Sequence, residues 1–146
     1  MKIKQLSVFL ENRAGRLSAP CQTLAEAGLN ILTLSLADTR EFGILRLVLR
    51  EWEEARDALT AAGYTVTVTD VVAIEVADRP GGLAEVLQAI ERQHLDVEYM
   101  YAFAFRTEDR AVLVFRFADA DAAAQRLQEA GLNVVGDVEL FQRAGE

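Results

Sequence analysis

The chain has 146 residues, 51% hydrophobic and 26% charged with only two prolines, so it carries material for a core and lacks the composition of a disordered segment. Its formal net charge of −8 argues against a nucleic-acid surface, because binding to phosphates rests on Lys and Arg neutralising them. Cys21 is the single cysteine, which excludes an intramolecular disulfide; no N-terminal stretch has the apolar segment of a signal peptide, and no run approaches the roughly 20 apolar residues that span a bilayer, so a reducing, cytoplasmic setting away from membranes is expected.

In chain order, residues 3–10 are rich in β-forming side chains and predict a strand ending at the turn Asn12-Arg13-Ala14-Gly15. A helix follows over 17–27, with Leu17, Leu24 and Ala25 on its inner face. Pro20 falls in its first turn, where the missing amide has no intrahelical partner, and Gly28 stops it. Strands over 31–37 and 43–49 form a hairpin across 38–42. In the second of them Leu45, Leu47 and Leu49 alternate with Arg46, Val48 and Arg50, which gives one buried and one wetter face. A helix over 52–62, ended by Gly63, and a strand over 65–68 complete a βαββαβ order.

The order then repeats, with a strand over 72–76, a helix over 83–92, strands over 97–105 and 111–117, a helix over 119–130 and a strand over 134–140. Asn12-Arg13-Ala14-Gly15-Arg16-Leu17 returns 66 positions later as Asp78-Arg79-Pro80-Gly81-Gly82-Leu83, and Ala62-Gly63 returns as Ala130-Gly131. Two such correspondences in one order mark a duplication, with units at 1–70 and 71–146. The join at 65–77 is strand-like, interrupted only by Asp70, so no flexible linker separates the halves. The fold class is α+β: two ferredoxin-like βαββαβ units in tandem, each an antiparallel four-stranded sheet with both helices on one face. That fold hosts many functions, so function has to come from the loops.

The segments from Glu11 to Leu17 and from Ala77 to Leu83 are each followed, twelve residues after the leucine, by Leu29-Asn30-Ile31 or Leu95-Asp96-Val97. In these features the chain resembles ACT domains, small regulatory modules that bind amino acids. The resemblance covers essentially the whole chain as two ACT domains and leaves no catalytic domain over. It implies a non-catalytic, allosteric regulatory protein that takes a free amino acid and acts on a regulated enzyme; no cofactor or metal is expected, and pairing of open sheets or edges, by which such small modules gain buried area, points to a homodimer. In the family the ligand sits where the first strand-to-helix loop of one domain meets the start of the second strand of a partnered domain. Carried over residue by residue, this implicates Asn12, Arg13, Ala14 and Gly15 with Asn30, and Asp78, Arg79, Pro80, Gly81 and Gly82 with Asp96. The second loop fits the family's Asp/Asn-Arg-Pro-Gly pattern; the first departs from it at Ala14 and Arg16.

The residue types suit a zwitterion. Gly15, Gly81 and Gly82 let a ligand approach the backbone, the following helix offers unpaired amides and partial positive charge to a carboxylate, and Asn12 or Asp78 with Asn30 or Asp96 can accept from an ammonium group. The plain alternative is that the glycines only permit a turn and the Asn or Asp only caps it.

Tyr99, Tyr101, Phe103 and Phe105 share one sheet face and form either core or an interface, in which case they offer stacking rings; this motivates an alternative as an RNA-binding module, against which stand the charge and the lack of glycines in 110–117. A third reading, a small phosphatase with Arg13 and Arg16 as anion cradle, lacks a general base near the loop. His94 has no partner at ligand spacing and reads as a surface residue at a helix end, and Cys21 reads as buried and inert.

Overall fold

In a computed structural model of the chain, residues 2–11, 13–38, 41–107 and 109–144 are described. They fall into two compact units, Lys4–Thr69 and Asp70–Glu146, the latter together with Met1–Ile3; these are called the N-terminal and C-terminal units. No helix among the described residues is long and apolar enough to cross a membrane.

The N-terminal unit contains β1 (Ile3–Glu11), α1 (Ser18–Glu26), β2 (Thr33–Asp38), β3 (Phe42–Val48), α2 (Trp52–Ala61) and the opening of β4 (Thr65–Ala77). Its strand order is β2-β3-β1-β4. The antiparallel registers Leu6↔Leu47 and Val8↔Leu45 set the leucines of β1 and β3 side by side. Because side chains alternate along a strand, Leu6, Val8, Leu10, Leu45 and Leu47 all leave by one face, where they meet Leu24 of α1 and Ala55 and Leu59 of α2. Burial of each fully enclosed leucine contributes about 2 kcal/mol. The opposite face is only partly the wetter one expected from the alternation: Arg46 is half-buried, but Val48 is fully buried.

The inner face of α1 differs from the expectation. Leu17 is 43% exposed and Ala25 is exposed, while Pro20 and Leu24 are the buried residues. The helix starts at Ser18, which leaves Leu17 ahead of the first turn, and spacing i, i+4 puts Pro20 and Leu24 on one stripe. Cys21 lies beside that stripe and is half-buried, packed against the core rather than enclosed in it. In the hairpin expected over 38–42, Thr39 and Arg40 lie outside the described residues.

The C-terminal unit takes the rest of β4 and adds α3 (Gly82–Arg92), β5 (Tyr99–Thr107), β6 (Arg110–Arg116), α4 (Ala120–Glu129), β7 (Val134–Val135) and α5 (Asp137–Arg143). Asp70 does not interrupt β4, which runs unbroken for 13 residues. Antiparallel pairing gives the order β7-β4-β6-β5. Val72, Ile74 and Val76 point to one face and close on Val86 and Ile90 of α3 and on Ala123 and Leu127 of α4. Phe115 and Phe117 join this core with ring centroids 6.0 Å apart.

Met100 of β5 packs against the same core, so Tyr99 and Tyr101 stand on the face away from the helices. Both are half-buried, Phe103 is 5% exposed, and a register shift falls between Ala102 and Arg106; the side chain of Phe105 lies outside the described residues.

The expected strand over 134–140 is the main correction. Only Val134 and Val135 pair with β4, and the chain then turns at Gly136 into α5. Alternating Val138 and Leu140 suggested a strand, yet Val138 is 67% exposed and Leu140 fully buried. The local chemistry favours a helix: Asp137 and Glu139 put negative charge in its first turn, and Arg143 reaches Glu139 at 2.7 Å across one turn.

The face on which α5 sits follows from β4. Glu75 lies between Ile74 and Val76, both directed at the helices, so its carboxylate leaves by the other face. There Arg143 of α5 donates to Glu75 Oε2 at 2.5 Å, Asn133 donates to Oε1 at 3.1 Å, and Arg110 stands 3.9 Å away. The C-terminal unit therefore has α3 and α4 on one face of its sheet and α5 on the other.

Burial is the largest influence on Glu75 and pushes its pKa upward, but the hydrogen bonds from Arg143 and Asn133 and the charges of Arg143 and Arg110 together outweigh it, so the carboxyl titrates below the ordinary 4.5. A carboxylate with a lowered folded pKa contributes stability that is complete above its unfolded pKa and is lost as pH falls through the folded one. Glu75→Gln should lower unfolding free energy at pH 7 by about 2 kcal/mol. The gap between wild type and variant should narrow below about pH 4.5. Urea denaturation of both proteins from neutral to acidic pH checks this; a gap that does not change with pH would assign the loss to packing alone.

Candidate ligand site

The C-terminal unit builds its loop on two glycines with separate duties. Gly81 takes φ +86°, a left-handed conformation that costs other residues energy. Gly82 opens α3 so close to β4 that a Cβ there would stand 1.9 Å from the Ala77 carbonyl oxygen. The Asp78 amide donates to the Asp109 carbonyl at 2.6 Å, which ties the loop to the turn before β6, and the Gly82 amide donates to the Arg79 carbonyl at 3.0 Å. Asp78, Arg79, Pro80 and Gly81 are exposed at the head of α3. Arg79 turns back onto its own helix, where it donates to both oxygens of Glu85 at 3.0 and 3.2 Å.

Behind the loop lies a cleft of about 410 Å³. The charged residues of its lining are Arg79, Arg92 and Arg110, and Glu75, Glu85 and Asp109. Val76, Val86, Ala89 and Leu132 supply an apolar lining, and Ala77, Gly82, Ala130, Gly131 and Asn133 complete the wall. Balanced charges around a small apolar patch suit a compact zwitterion. Of these residues only Arg79 and Gly82 are expected ligand contacts from the sequence. Glu75, Arg92, Arg110 and Asn133 come from four separate places in the chain and share no spacing; a carboxylate inside the apolar run 71–76 was the available hint for Glu75.

The N-terminal loop is built differently. Gly15 repeats the left-handed turn at φ +84°, but Ala14 and Arg16 replace the Pro and the second Gly. Arg13 and Arg16 both lean on Glu11, at 3.4 and 4.0 Å, and the Ser18 hydroxyl donates to the Gly15 carbonyl at 3.2 Å. The space beside the loop, lined by Leu10, Glu11, Arg13, Leu17, Leu36 and Gly43, measures about 30 Å³. Arg13, Ala14 and Gly15 are exposed, and Asn12 lies outside the described residues.

Neither unit brings its loop together with the residue expected to complete its site. Asp96 lines a second cleft of about 310 Å³ with His94, Glu98, Asp119 and Arg126, beyond the C-terminal end of α3, whereas Asp78–Gly82 lies at the other end. The 11 residues of α3 span about 16 Å. Asn30 is exposed just past the end of α1, at the far end of that helix from Gly15. His94, exposed, follows α3 with φ +57°. Among the described residues no cluster of three or more His, Cys, Asp or Glu could hold a metal.

Gly82→Ala should cost about 2–4 kcal/mol of stability, because relief of the clash requires β4 or α3 to move. Gly136→Ala, where an added Cβ meets nothing within 4 Å, serves as control and should change stability by less than about 0.5 kcal/mol. Denaturant melts of the two variants check both values.

Comparison with known proteins agrees with this architecture. The family model described as an ACT domain pair matches residues 1–144. None of the curated proteins matches the chain. A crystal structure of a protein from Bacteroides thetaiotaomicron superimposes with a TM-score of 0.88 at 35% identity, covering 97% of each chain. The ligand-free regulatory subunit of aspartate kinase from Thermus thermophilus gives a TM-score of 0.64 at 17% identity, covering 89% of this chain and 93% of that one. The corresponding subunit from Thermus flavus gives 0.63 at 17% identity, covering 90% and 94%. At that identity the two Thermus structures show a shared fold. With two units in βαββαβ order, each turning through a left-handed glycine ahead of its first helix, and a family match from residue 1 to 144, the chain belongs to the family of ACT domain pairs.

Proposed function

We propose that this protein is a non-catalytic regulatory sensor that binds a free amino acid and passes the signal to an enzyme partner in the cytoplasm. The observation that carries the reading is the cleft behind Asp78–Gly82, whose lining combines three arginines and three acidic residues with a small apolar patch. A ligand carboxylate is received by the opening amides of α3 and the cleft arginines, and its ammonium by Asp78 or Asp109. Contacts from Asn30 or Asp96 are those the family resemblance assigns to a partnered domain, which accords with loop and residue standing at opposite ends of a helix within a unit.

The first loop, Asn12, Arg13, Ala14 and Gly15, is the weaker copy, because its arginines face Glu11 and little space adjoins it. A homodimer suits the N-terminal unit: β2 is its edge strand, and Leu34 and Leu36 on it are 49% and 45% exposed. Regulatory subunits of aspartate kinase share the fold, which is consistent with control of an enzyme by a separate chain.

Thermal denaturation with each common amino acid tests the reading. A ligand at about 100 times its dissociation constant adds about 2.7 kcal/mol, and this raises Tm by very roughly 5–10 °C for a chain of this size. Asp78→Ala should remove the shift while leaving the melt of the free protein within about 1 kcal/mol. If no amino acid at millimolar concentration moves Tm, the reading is wrong. For the dimer, Leu34→Lys with Leu36→Lys should yield monomers in sedimentation experiments; an unchanged mass would place the interface elsewhere.

A further inference from the structure

Glu75 serves two parts of the C-terminal unit at once. It lines the cleft, and through Arg143 it holds α5 against the opposite face of the sheet. Besides Arg143, α5 rests on the half-buried Phe141 and on Leu140. It has seven residues, too few for a helix to persist alone, and Leu140 is its one fully buried side chain. Such an element opens at a small fraction of the free energy of global unfolding.

Arg110 connects the two roles. It also lines the cleft, its side chain is 54% exposed, and at 3.9 Å it is the most distant of the three partners of Glu75. Arg79, by contrast, is already engaged with Glu85. Arg92 stands at the C-terminal end of α3, so a carboxylate entering the cleft beside Glu75 finds Arg110 as the available guanidinium there. Arg110 and Arg143 are like charges sharing one carboxylate, so drawing Arg110 toward a second anion relieves their repulsion and leaves Glu75 to Arg143 and Asn133.

We propose that docking of α5 is linked to occupancy of this cleft: a small ligand held by its carboxylate on Arg110 tightens α5 on the sheet, and α5 is the element that reports the bound state. The proposal rests on the reading of the cleft as a ligand site. By thermodynamic linkage, a docked α5 in turn raises the affinity of the cleft for the carboxylate.

Hydrogen exchange of the full chain, followed by mass spectrometry over 137–144, tests it with acetate as the carboxylate probe and chloride and methylammonium at equal ionic strength as controls. Acetate should slow exchange of this segment about fivefold in the wild type and leave it unchanged in Arg110→Ala. Without any ligand, Arg143→Gln should speed exchange in the same segment about tenfold or more, with amides of β4 and β6 as protected as before. The proposal is overturned if acetate acts no differently from chloride, if its effect survives in Arg110→Ala, or if Arg143→Gln leaves 137–144 unchanged. Failure of amino acids to shift Tm is a separate result: an acetate-responsive α5 in a protein blind to amino acids keeps the linkage and removes the amino-acid reading.

Discussion

Glu75 places a carboxylate, 13% exposed, in a strand whose adjacent residues Ile74 and Val76 are buried, and much of the C-terminal unit is arranged around compensating that charge. A buried carboxylate without partners is costly, and here the partners come from three elements: Arg110 opens β6, Asn133 precedes β7, and Arg143 ends α5. Pairing of β6 with β4 would bring Arg110 near in any ferredoxin-like unit. Arg143 is different, because it reaches Glu75 only if the chain leaves the sheet after Val135 and returns as a helix on the opposite face. The short β7 and the helix α5 are thus two consequences of one requirement.

The two loops show how a duplicated pattern acquires unequal chemistry. Both turn through a left-handed glycine, so both present the head of a helix to solvent. What separates them is the following residue. Gly82 allows α3 to start in contact with the Ala77 carbonyl, whereas at the corresponding place Arg16 folds back toward Glu11. In the C-terminal unit the tight start leaves a cleft alongside α3; in the N-terminal unit the arginines and Leu17 occupy the equivalent surroundings.

A good part of this was legible in the residues. The glycine-bearing loops, the alternation of Leu45, Leu47 and Leu49, and the repeated helix stops at Gly63 and Gly131 carry local information, since each depends on backbone preferences or on a period that only one kind of element satisfies. The boundary errors fall where local preference is weak. Leu17 reads as an inner-face residue because apolar spacing does not say which residue begins the helix, and Val138 with Leu140 reads as a strand because two apolar residues two apart are too few to tell a strand from a short helix, on which they lie on opposite sides.

The sequence by itself therefore determined the tandem βαββαβ order, the buried face of β3 carrying Leu45 and Leu47, and the loops that turn through glycine, since all three follow from short-range periodicity and from glycine's lack of a Cβ. Only the tertiary structure decided that the last segment is a helix, that Tyr99 and Tyr101 face away from α3 and α4, and that Glu75, Arg92, Arg110 and Asn133 meet Arg79 and Gly82 in one cleft. Those outcomes rest on contacts between residues as many as 68 positions apart, such as Arg143 with Glu75, and no local pattern records which distant partner a buried charge will find.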